Sequence, residues 1–148
     1  MISRVDPPTV PARSEWENPG EHCAVTVTYD RDDAQRRIII KLDGAFELPA
    51  TLALVDRLAA DDAWSYGLLY DARTLTSAPT MSELQTIVDR VQIMTARRPR
   101  GPVAVVTPDA SVSELAQMYA SRLAGAVNIA VFRTLDEGRA WLDEVERM

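Results

Sequence analysis

The stretch "PVAVVTPDASVSELAQMYASRLAG", residues 102–125, decides the fold. Val103 to Val106 is an unbroken apolar run bounded by Pro102 and Pro108, too short for a buried helix, and reads as a strand. A strand that is apolar throughout, rather than at every second position, belongs to a parallel sheet covered on both faces or to a sheet's centre. The residues after Pro108 read as a helix that opens on Ser111-x-x-Glu114. In that pattern a hydroxyl serves the third helical N–H and a carboxylate reaches back to the cap's own N–H.

Working outward, the same strand-to-helix unit occurs on either side. "YGLLYDA" precedes "TMSELQTIVDRVQIMTARR", and "NIAVFRT" precedes "LDEGRAWLDEVERM". Thr80-x-x-Glu83 and Thr134-x-x-Glu137 repeat the capping pattern where those strands end. The core side of the first helix is read as Met81, Leu84, Ile87, Val88, Val91 and Met94, which leaves Ile93 among Thr86, Arg90 and Arg97 on the opposite side. Ile93 and Arg97 are therefore candidate interface residues, against the simpler reading of one exposed apolar side chain. In the last helix Leu135, Trp141, Leu142, Val145 and Met148 share a side, with Gly138 among them allowing helix and sheet to approach.

Upstream, "HCAVTVTYD" alternates, with Val25, Val27 and Tyr29 on one face, and "RRIIIKLDG" comes after "RDDAQ" as its antiparallel partner. Next, "LPATLALVDRL" places Leu48, Leu52, Val55, Leu58 and Ala59 on one helical side, with Pro49 in the first turn. The order ββαβαβαβα predicts one α/β domain over 22–148, a single mixed β-sheet flanked by helices with right-handed parallel connections. Residues 1–21, with Pro7, Pro8, Pro11 and Pro19, read as a flexible arm that Trp16 pins to the domain or to a partner.

A chain of 148 residues with 47% apolar and 26% charged residues is long enough for one core without staples. No segment approaches the ~18 apolar residues of a membrane span. The N-terminus does not read as a secretory signal and Cys23 is alone, so a cytoplasmic location is expected. A net charge of −6 opposes nucleic acid as a partner. The basic cluster Arg97, Arg98 and Arg100 lies where a helix ends and complements its dipole, with an anion or anionic-lipid contact as the alternative.

Catalytic constellations are thin. His22, the sole histidine, neighbours Cys23, but adjacent strand residues point to opposite faces, and a zinc site needs three or four converging ligands. Neither a phosphate-binding glycine loop nor a nucleophile elbow is present. Asp71 and Asp109 near strand ends could act as paired carboxylates or simply serve loops and helix starts. No enzyme activity and no cofactor is expected. Tyr70, Met118 and Tyr119, with Asp71, are candidates for an apolar ligand pocket or, more simply, core.

"DGAFELPATLALVDRLAADDAWSYGLLYDA" (43–72) and "VAVVTPDASVSELAQMYASRLAGAVNIAVFRTLDEGRAWL" (103–142) resemble the SpoIIAA-like group of STAS-type domains, across about residues 24–145. Gly44, "LLYDAR" and "VFRTLDEGRAWL" carry most of the likeness. The resemblance implies a regulatory module that binds a protein partner and is switched by phosphorylation of a serine in an Asp-Ser-Ser-Gly turn at a helix start. Here Pro79 and Thr80 take that place and the glycine is absent, so Thr80 stands nearest the switch position and Ser82 next. Thr80 also has a complete role as an N-cap. A related branch implies the alternative, a carrier or sensor of a lipid-like apolar molecule. The expected partner is thus a protein or a second copy, as in a homodimer, with an apolar small molecule as the other reading.

Overall fold

The computed structural model describes residues 25–146. The elements are β1 (Val25–Asp32), β2 (Arg37–Gly44), α1 (Leu48–Ala60), β3 (Gly67–Leu75), α2 (Met81–Arg97), β4 (Val103–Val106), α3 (Ala110–Arg122), β5 (Ile129–Phe132) and α4 (Leu135–Glu146). The strands lie in sequence order, β1-β2-β3-β4-β5, with β1 antiparallel to β2 and every later pair parallel. This is the predicted ββαβαβαβα mixed sheet.

The order fixes which face each helix covers. Three successive crossovers step in one direction, and if each is right-handed their helices must all lie on one side of the sheet. The main core agrees. Leu54, Val55 and Leu58 of α1 and Ile87, Val88 and Val91 of α2 meet Ile38, Ile40, Leu42, Leu68, Val103 and Val105 of the sheet. Helix α4 has no further strand to reach and folds over the other face, where Leu142 packs on Leu69, Ala104 and Val106. Each fully buried aliphatic side chain contributes about 1.5–3 kcal/mol, so the four of α2 anchor that helix firmly.

Gly138 holds α4 close, as its place in the apolar stripe predicts. A Cβ there would stand 3.0 Å from Leu69 Cδ1 and 3.1 Å from Val106 Cγ2. Arg37, 5% exposed, ties the far end of α4 to β2 by donating from Nη2 to Asp143 at 2.9 Å and to Glu146 at 2.7 Å. At the same end of the sheet the α1–β3 and α2–β4 loops cross. A Cβ at Gly101 would stand 2.3 Å from the Tyr66 carbonyl, so only glycine fits that crossing.

Three sequence expectations are corrected. Helix α3 begins before Ser111: Asp109 is its N-cap and accepts from Ser111 N at 2.9 Å and Val112 N at 3.0 Å. A carboxylate right after the strand intercepts those N–H groups before the Ser111 hydroxyl can act. In α1, Thr51 and Leu54 are buried while Leu48, Leu52 and Ala59 pack only partly, because the helix sits in a corner between the sheet and α2. Strand β3 continues through Leu75, so Asp71 lies inside it. The pairing steps from Lys41↔Asp71 to Asp43↔Thr74, leaving Ala72 and Arg73 together opposite Leu42 as a bulge.

Candidate functional site

The start of α2 is built by its hydroxyls. Ser77 Oγ accepts from Phe46 N at 3.0 Å and Thr74 Oγ1 donates to the Leu42 carbonyl at 3.1 Å, so the loop after β3 is tied to the end of β2. Thr80 Oγ1 then accepts from Glu83 N at 3.1 Å, and Glu83 Oε1 accepts from Thr80 N at 2.9 Å. The expected capping box is therefore complete. The equivalent pattern at Thr134 is half formed. Thr134 Oγ1 accepts from Glu137 N, but Glu137 Oε1 accepts from Arg133 N instead of the cap's own.

Both candidate switch residues are exposed, yet they differ in chemistry. Thr80 uses its hydroxyl and its N–H in the cap. Among the described residues the Ser82 hydroxyl makes no hydrogen bond, and only its carbonyl is engaged, accepting from Thr86 Oγ1 at 3.1 Å. At about 100° per residue, Ser82, Thr86, Ile93 and Arg97 fall within an arc of roughly 60° on α2. The two candidate sets thus share one stripe, Ser82 at its start and Ile93 about 16 Å further along the axis.

Ile93 is 62% exposed, the most exposed of the large apolar side chains described, and Met81, expected on the core side, is exposed as well because it opens the first turn of α2 before the helix settles on the sheet. The stripe is braced at its flank, where Arg90 Nη1 donates to Asp56 of α1 at 2.6 Å. The three arginines at the end of α2 separate. Arg97 stays in the exposed last turn, Arg98 pairs with Asp62, and Arg100 turns inward. The dipole reading therefore fits Arg97 but not Arg100, whose backbone lies beyond the helix and is steered by the Gly101 crossing.

Of the four pocket candidates, the structure brings two together. Tyr70 and Tyr119 line an apolar cavity of about 140 Å³ between the sheet and α1, α2 and α3. Burial raises both phenols: Tyr119 is pushed up to about 12 against the pull of Arg100, and Tyr70 rises above the usual tyrosine range despite a bond with Thr51. Met118 is 39% exposed and does not line the cavity. Asp71 lies on the other side of β3 and serves its bulge. It accepts from Arg73 N at 3.1 Å, Nε at 2.9 Å and Nη2 at 3.0 Å. Burial alone would raise its carboxyl, but those bonds and the nearby Lys41 charge hold it below the usual carboxylate range. With Asp109 spent as a cap, the two aspartates form no catalytic pair.

Two cavity residues are not legible as such in the sequence: Trp64 is not singled out, and Arg100 reads as a helix-end cation or an anion contact. Trp64, 2% exposed, sits in the α1–β3 loop, and Arg100 donates from Nη1 to the carbonyls of Trp64 at 2.6 Å and Tyr66 at 3.1 Å. Trp16 with the rest of the arm, His22 and Cys23 at the start of the domain, and Met148 at its end lie outside the described residues. Among the described residues no three His, Cys, Asp or Glu side chains gather as metal ligands, and no helix is long and apolar enough to cross a membrane.

No family model matches the chain, and no curated protein does. Solved structures do. An anti-sigma factor antagonist from Mycobacterium paratuberculosis is 13% identical with a TM-score of 0.53, the match covering 80% of this chain and 94% of that one. The anti-sigma factor antagonist SpoIIAA in its unphosphorylated form is also 13% identical, with a TM-score of 0.50, covering 83% and 98%. The chain has the SpoIIAA-like fold. In that fold the start of α2 comes directly after β3, and the Ser82–Arg97 stripe lies on the helix layer away from α4.

Proposed function

We propose that this chain is a non-catalytic, STAS-type regulatory module that binds a protein partner through the outer stripe of α2. The observation that carries the reading is Ile93, an isoleucine 62% exposed on a helix anchored by four buried side chains and aligned with Ser82 and Arg97. Exposed apolar groups rimmed by polar ones favour protein contact. The likeness to two anti-sigma factor antagonists supports a partner of the anti-sigma factor type.

The switch is Ser82, with Thr80 fixing the turn. A phosphate on Thr80 would meet the Glu83 carboxylate that already occupies the cap, whereas one on Ser82 would face the positive helix start from a hydroxyl with no prior task. Two negative charges added to the Ser82 stripe would oppose an apolar contact at Ile93, so modification would act on recognition and leave the fold intact. The carrier of a long lipid is the weaker alternative. Its ligand needs several hundred Å³, well above the cavity present.

Native mass spectrometry of the protein purified gently from its own cells tests this. A protein partner or second copy retained by the natural sequence and released by Ile93→Asp is the expected result. A bare monomer for both would overturn it, and a phosphate mapped away from Ser82 would overturn the assignment of the switch.

A further inference from the structure

The cavity under α2 and α3 has one charged residue in its lining. Leu54, Leu68, Ile87, Val105 and Val112 give it apolar walls, and Arg100 supplies the charge. The guanidinium carbon lies 4.7 Å from the centroid of the Trp64 ring. Both of the arginine's hydrogen bonds use Nη1. Among the described residues Nε and Nη2 donate to nothing, and no carboxylate pairs with the side chain. The Trp64 indole N–H beside it is buried and likewise without a partner among the described residues.

Such an arrangement is costly. Burial lowers the guanidinium to about 10, which still leaves it charged at neutral pH. A half-buried cation without an anion is less stable than a paired one, and an apolar void costs packing. One occupant relieves both.

We propose that this cavity is a binding site for a small monocarboxylic acid with a ring-sized apolar body, its carboxylate held by the free Nε and Nη2 of Arg100. The volume sets the size, since an apolar cavity of about 150 Å³ accommodates benzene. The planar fork of arginine matches a carboxylate with two parallel bonds. Tyr119, in the same lining, carries a further hydroxyl donor. The apolar walls reject sugars and multiply charged acids, whose other polar groups would find no partner. Pro79 also lines the cavity, so an occupant touches the segment that opens α2. The site goes beyond partner binding and stands or falls independently of it.

Isothermal titration of the full-length protein with phenylacetate and with its neutral analogue 2-phenylethanol tests the assignment. Phenylacetate is expected to bind at least about tenfold more tightly than the alcohol, a difference of about 1.4 kcal/mol. Arg100→Gln should bring the acid down to the alcohol's affinity, and Ala116→Leu, which fills the cavity, should abolish binding of both. Absence of phenylacetate binding, equal affinity for acid and alcohol, or binding unchanged in Ala116→Leu would each overturn the proposal. The comparison of acid with alcohol uses the natural sequence, so it decides the matter even if Arg100→Gln fails to fold.

Discussion

Replacing Ala116 by leucine should stabilise this protein, whereas the same change at Ala104 should destabilise it. Ala116 lies on α3 at the cavity wall, and α3 fully buries only Val112, so its inner side is loosely packed. At about 24 cal/mol per Å³, a void of 140 Å³ corresponds to about 3 kcal/mol of missing packing. Leucine adds three carbons worth roughly 0.8 kcal/mol each when buried. Lost rotamer freedom of about 0.5–1 kcal/mol and imperfect fit reduce that to a net gain of about 1 kcal/mol. Ala104 is 0% exposed and packs against Leu69, Val106 and Leu142 under α4, with no space to spare. Overpacking there should cost about 2–3 kcal/mol. Urea denaturation reads both. With an m-value of about 2 kcal/mol/M, the Ala116→Leu midpoint should rise by about 0.5 M and that of Ala104→Leu should fall by at least 1 M, at unchanged m. A loss at Ala116 as large as the loss at Ala104 would refute the existence of the void.

Thr80→Ala removes the hydroxyl of the capping box and should cost about 1 kcal/mol in the same assay, while Thr80→Ser should cost little. Gly101→Ala pushes a methyl into the Tyr66 and Ser65 carbonyls and should cost more than about 2 kcal/mol, with lowered thermal stability as the readout. Asp71 has a folded-state pKa below its ordinary value of 3.8. Its contribution is therefore full above about pH 4 and is lost as the pH falls through that lowered value. Asp71→Asn should be less stable than the natural sequence at neutral pH, and the gap should narrow in acid. A gap independent of pH would contradict the Arg73 pairing.

The elements and the single mixed sheet were legible because each carries its own periodic signal. Alternation marked β1, continuous apolar runs marked β3 and β4, and Thr80-x-x-Glu83 marked the start of α2 to the residue. Gly138 could be read as a close approach because a helical stripe fixes which way it faces. Features set by tertiary geometry were not legible. The bulge that places Asp71 inside β3 depends on register with β2, and no count of apolar residues reveals it. Asp109 and Ser111 both make good caps, and the choice rests on where β4 releases the chain. Arg100 was legible as a cation but not as a cavity residue, since helix periodicity assigns no direction to a loop residue and the inward turn stems from the crossing at Gly101. Tyr70 and Tyr119 were readable as apolar neighbours, but the void between them depends on how loosely α3 settles.

Recognition through the α2 stripe is tested most directly by placing a photo-crosslinking amino acid at Ile93 in living cells, with Thr28 on the exposed face of β1 as control. A single discrete protein adduct from position 93, absent from position 28 and diminished by Ser82→Glu, is the expected result. Equal labelling from both positions, or none from position 93, would contradict the account.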